Sequence, residues 1–66
     1  MKGCLPYPEQ NRKVCEVLKR MTGKDECFKA LEKVERCEIK FEDFVRELKK
    51  HYSWEEVEKA LNEAFK

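Results

Sequence analysis

The sequence predicts an all-α protein, a compact four-helix domain over residues 1–66 whose first two helices form a hairpin stapled by two nested disulfides. Three observations point there. Four segments carry apolar residues at helical spacing between capping signals. No segment alternates as a half-buried strand does. Four cysteines, Cys4, Cys15, Cys27 and Cys37, sit where a helical hairpin would bring them into pairs.

Residues 1–7 read as irregular, because Gly3 and Pro6 disfavour a helix there, whereas Pro8 suits a first helical position. Helix one is expected from about Pro8 to Met21, with Val14, Cys15, Val17, Leu18 and Met21 as its apolar stripe and Thr22–Gly23 as its stop. Helix two, about Lys24 to Arg36, opens with Asp25 and Glu26 at its positive dipole end and turns Cys27, Phe28, Ala30, Leu31 and Val34 inward. Helix three, about Phe41 to His51, places Phe41, Phe44, Val45 and Leu48 inward and ends in Lys49, Lys50 and His51. Ser53 followed by Glu56 is a capping box, with Tyr52 and Val57 spaced as a hydrophobic staple. It starts a fourth helix with Trp54, Val57, Ala60, Leu61, Ala64 and Phe65 on one side.

A chain of 66 residues buries only about 60% of its unfolded surface, so its core alone is marginal and a staple is expected. Residues facing each other across a hairpin have position numbers with a near-constant sum. Cys15 with Cys27 gives 42 and Cys4 with Cys37 gives 41, so one hairpin about Thr22–Gly23 accommodates both bridges. Buried free thiols and a metal or iron–sulfur site are the alternatives. Structural metal sites draw ligands from tight Cys-x-x-Cys turns, but the gaps here are ten, eleven and nine residues. No metal and no other cofactor is therefore expected. Nor is a catalytic residue: the single histidine, His51, sits in a lysine-rich helix end where capping explains it, and no acid–base pair or phosphate loop accompanies it.

Nested bridges over a helical hairpin resemble the twin Cys-x9-Cys proteins of the mitochondrial intermembrane space, across about residues 4–37. Cys27 and Cys37 are separated by nine residues, but Cys4 and Cys15 by ten, and Cys4 precedes the helix. Prolines beside Cys4 and a second helical pair after Cys37 also depart from that pattern, so the likeness is geometric and implies no function.

Charge is abundant and balanced, with 15 basic and 14 acidic residues, +3 through Cys37 and −2 after it. This is no bulk polyanion binder. Eleven lysines and twelve glutamates beside one glutamine and two asparagines match the bias of thermostable proteins and of designed ones. No apolar run suits a signal peptide or membrane span, so the expectation is a soluble protein with no membrane partner. Its location is otherwise open. If it is natural and disulfide-bonded, a thermophile's cytoplasm is the compartment that tolerates both.

The function expected is a non-enzymatic helical interaction or scaffold module for a protein partner or a second copy, with Tyr7, Tyr52, Trp54 and Phe65 as contact residues. The alternative is a DNA-binding, helix-turn-helix-like regulator using Lys13, Arg20 and Lys24 with Arg46, Lys49 and Lys50 of helix three. Glu16, Glu42, Asp43 and Glu47 lie among those cations and oppose phosphate contacts.

Overall fold

The computed structural model describes residues 5–65, and within them the chain is all-helical: α1 (Pro8–Thr22), α2 (Glu26–Glu35), α3 (Phe41–His51) and α4 (Trp54–Ala64). Each helix packs on its neighbours in sequence, and α4 returns across α1 in the most extensive contact of the fold. The buried set comes from all four: Val14, Leu18, Val34, Phe44 and Val57 are nearly or wholly excluded from solvent. Leu5, ahead of α1, joins them.

Local chemistry explains each boundary. Pro8 begins α1 as expected, but the chain enters it through Tyr7 in the left-handed region (φ 49°), an unfavourable conformation for a residue before proline. Asn11 holds it there. Its buried amide donates to the Pro6 carbonyl at 2.6 Å and to the Tyr7 carbonyl at 3.1 Å. Gly23 (φ 78°) ends α1, its N–H donating to the Lys19 carbonyl. A β-carbon there would meet no neighbour, so backbone conformation is what favours glycine.

α2 (Glu26–Glu35) is shorter than the expected Lys24 to Arg36, although all its expected apolar positions lie within it. Asp25 occupies the N-cap position without capping, because its carboxylate pairs with Lys19 at 3.0 Å. The Tyr52 hydroxyl supplies the cap instead, accepting the Cys27 N–H at 3.1 Å and donating to the Lys24 carbonyl at 3.0 Å. At the other end Cys37 is left-handed (φ 64°). The Cys37 N–H donates to Val34 and the Glu38 N–H to Lys33, the two bonds of a Schellman stop that usually uses glycine.

The Cys15–Cys27 disulfide is present, with Cα atoms 5.2 Å apart and both residues fully buried. The exposed ion pairs Arg12–Glu35 and Lys19–Asp25 bridge the same antiparallel α1–α2 pair. The second expected pairing, Cys4 with Cys37, involves Cys4 and lies outside the described residues.

α3 has the expected bounds, and the Asp43 carboxylate accepts the Lys40 N–H at its start. The Ser53 capping box is formed in both directions: Glu56 N–H to Ser53 Oγ at 3.3 Å, and Ser53 N–H to Glu56 Oε1 at 3.1 Å. Four residues assigned inward by spacing face solvent: Met21, Phe41 and Phe65, more than a third exposed, and Trp54, more than half. Each is in the first or last turn of its helix or, for Phe65, at its C-cap, where fewer neighbouring elements are left to cover it.

Candidate functional site: an exposed apolar edge on α4

The inward face of α4 is Val57 and Ala60, with Leu61 and Ala64 half-covered at its margin. At about 100° per residue, Trp54, Leu61 and Phe65 project within about 20° of one line, beside that buried face. This line is an apolar edge about 16 Å long, and much of it is open. Trp54 is 54% and Phe65 46% exposed.

The edge extends beyond α4 at both ends. The Tyr7 ring packs edge-to-face on Phe65, centroids 5.9 Å apart and planes at 82°, yet Tyr7 remains 65% exposed. Aromatic pairs favour this geometry. The left-handed turn held by Asn11 is the backbone state from which Tyr7 reaches that ring. At the other end Lys49 of α3 lies over the Trp54 ring, 5.2 Å from its centroid.

α3 has a matching division. Its Asp43, Arg46, Glu47 and Lys50 line a groove of about 580 Å³ against α2, so its opposite flank, by helical phase, is Phe41, Val45 and Lys49. Lys49 over Trp54 confirms that this flank is the one towards α4. α3 and α4 meet at the Tyr52–Ser53 turn and touch little beyond it. The groove on the α2 side is lined by five basic and five acidic residues over Ala30 and Ile39, with no dominant sign.

Of the four aromatic contact residues expected from sequence, Tyr7, Trp54 and Phe65 share this surface. Tyr52 does not. It is 4% exposed and its hydroxyl is spent on the start of α2, so it is a core residue and not a contact residue. Sequence reasoning missed Leu61 as part of the edge, because period alone cannot separate the margin of a buried stripe from its centre.

The six cations of the DNA-facing alternative are divided between α1, which carries Lys13 and Arg20, the turn after it, where Lys24 lies, and α3, which carries Arg46, Lys49 and Lys50. α1 packs on α2 and α4, α3 packs on α2 and α4, and α1 and α3 make no direct packing contact. Most of them are also engaged: Arg20 with Glu63, Arg46 with Asp43 and Lys50 with Glu47. Lys24 donates to the His51 carbonyl at 2.9 Å, and Lys49 covers Trp54, leaving Lys13 of the six without such a neighbour. His51 stands beside Glu26 and Glu47 at 3.8 and 3.6 Å. No group of three or more metal-ligating side chains occurs among the described residues. No helix among them is long and apolar enough to cross a membrane.

No protein-family model, curated protein or solved structure matches this chain.

Proposed function

We propose that this protein is a non-enzymatic interaction module: a disulfide-stapled helical scaffold that presents the α4 edge, Trp54, Leu61 and Phe65 with Tyr7, to a protein partner. One observation carries the reading. Tyr7 and Phe65 are held ring against ring by a strained, hydrogen-bonded turn, yet both stay largely exposed. A chain this short gains most by burying such rings, and clustered exposed aromatics are what partner surfaces use.

The scaffold half of the reading includes the second bridge, Cys4–Cys37, which requires a Cys4–Cys37 linked peptide in a non-reducing map. DNA binding is the weaker reading, because Lys13 and Arg20 of α1 lie on a helix that does not pack on α3 with its Arg46, Lys49 and Lys50, and most of these cations already have acidic or aromatic neighbours.

The test is selection of peptides from a randomised display library on the full chain, followed by affinity measurement on a Tyr7→Ser/Phe65→Ser variant. Circular dichroism establishes that the variant keeps its helices. Selected peptides should lose at least about tenfold in affinity, equivalent to roughly 1.4 kcal/mol. Unchanged affinity would remove the α4 edge as the interface.

A further inference from the structure

The α4 edge has a sign. Beside Trp54, Leu61 and Phe65, the next positions round the helix towards solvent are Glu58, Asn62 and Glu55, all exposed, two of them carboxylates. Neither carboxylate makes an ion pair among the described residues. Lys49 of α3 lies over the Trp54 ring. An occupant of the edge would therefore meet an apolar line about 16 Å long with unpaired carboxylates along its outer rim.

Resting on the reading of this edge as an interface, we propose that its occupant is a basic amphipathic helix of a partner protein. Apolar side chains at i, i+3/i+4 and i+7 would lie along Trp54, Leu61 and Phe65, with Tyr7 closing one end, and flanking lysines or arginines would meet Glu55 and Glu58. A second copy packed antiparallel fits worse. That twofold arrangement sets the Glu55–Glu58 rim of one edge against the same rim of the other, and like charges across an interface oppose it.

Trp54 is the chain's single tryptophan and lies on the edge, so its emission reports occupancy directly. The experiment titrates the full chain with two synthetic amphipathic peptides of about 18 residues, or five turns, one built from Leu and Lys and the other from Leu and Glu. The Leu/Lys peptide should blue-shift Trp54 saturably and bind at least tenfold tighter than the Leu/Glu peptide. Glu55→Lys/Glu58→Lys should invert that order. Equal binding of both peptides, or an order unchanged in the variant, overturns the proposal.

The outcomes separate this proposal from the interface reading it rests on. A Leu/Glu preference that Tyr7→Ser/Phe65→Ser abolishes would keep the edge as an interface and refute its charge. No Trp54 response to either peptide would refute the proposal and leave the display experiment to judge the interface. A Trp54 shift that grows with protein concentration, without peptide and with dimerisation in sedimentation, would make a second copy the occupant and also overturn it.

Discussion

The two helical pairs of this protein are joined in different ways. α1 and α2 meet across a left-handed Gly23 turn, a buried Cys15–Cys27 disulfide and two exposed ion pairs. α3 and α4 meet across a two-residue turn, with a capping box at Ser53, and touch sparingly afterwards. The first pair is locked covalently, whereas the second, although α4 packs extensively on α1 and α3 on α2, leaves the flank of Phe41 and Val45 and the edge of Trp54, Leu61 and Phe65 incompletely covered. In a domain with so small a core, the half locked covalently can support a half that keeps apolar surface available. Tyr52 joins the two, since it is the C-cap of α3 and its hydroxyl caps α2 beside Cys27.

The sharpest way to break this division is to remove the covalent link. Cys15→Ala/Cys27→Ala opens a loop with a sequence separation of 12, for which loop-closure entropy gives a loss of about 3 kcal/mol. That is a large part of a total in the range of roughly 5 to 15 kcal/mol. Because Tyr52 ties the pairs together, denaturant should unfold the variant in one transition at a lower midpoint, with far-UV dichroism and Trp54 fluorescence coincident. Separate transitions would show that the pairs are energetically independent.

The parts of this architecture that were legible in the sequence are those decided by neighbours in the chain. Pro8, Gly23 and the Ser53–Glu56 box mark helix ends through contacts within a few residues, and all three stand where expected. The Cys15–Cys27 pairing followed from one turn and two helical repeats. Cys37 as a left-handed helix stop was not legible, because glycine usually takes that position and cysteine gives no such signal. The role of Asn11 depends on a turn three to five residues earlier adopting a conformation that the following proline disfavours. Tyr52 was misplaced at the surface for a related reason. Aromatic character and a position beside a cap are the same for a staple residue in the core as for an exposed contact, and only the distant start of α2 distinguishes them. The α4 edge was partly visible, since Trp54 and Phe65 were singled out, but its continuity through Leu61 to Tyr7 needed the fold.

The link through Tyr52 can be cut without touching the core volume. Tyr52→Phe keeps the ring and removes the hydroxyl, leaving the Cys27 N–H without its cap and the Lys24 carbonyl without a donor at the buried start of α2. Leaving such groups unsatisfied costs about 1–3 kcal/mol, and about 2 kcal/mol is expected. Hydrogen exchange should place the loss at the Cys27 amide and the first turn of α2, 25 residues away in sequence. Unchanged protection at Cys27 would mean that the α1–α2 pair caps itself and the halves are coupled by apolar packing alone.

The smallest effect concerns the second pair by itself. The Ser53 hydroxyl accepts the Glu56 N–H while the Glu56 carboxylate accepts the Ser53 N–H, so one side chain orients the first turn of the helix that carries Trp54. Ser53→Ala removes one half of this reciprocal pair at an exposed position, and N-cap losses of this kind cost about 1 kcal/mol. Ser53→Asp restores an acceptor and adds a negative charge at the helix N-terminus, where the dipole favours it. It should therefore recover the wild-type denaturation midpoint to within a few tenths of a kcal/mol. The readout that distinguishes a local from a global role is Trp54. In Ser53→Ala the first turn of α4 should fray before the main transition, appearing as a sloping fluorescence baseline while dichroism stays flat, because nothing covalent holds this pair. A flat Trp54 baseline with the full loss of midpoint would show that α4 is as tightly coupled to the core as α1, and the contrast between the locked and open pairs would not hold.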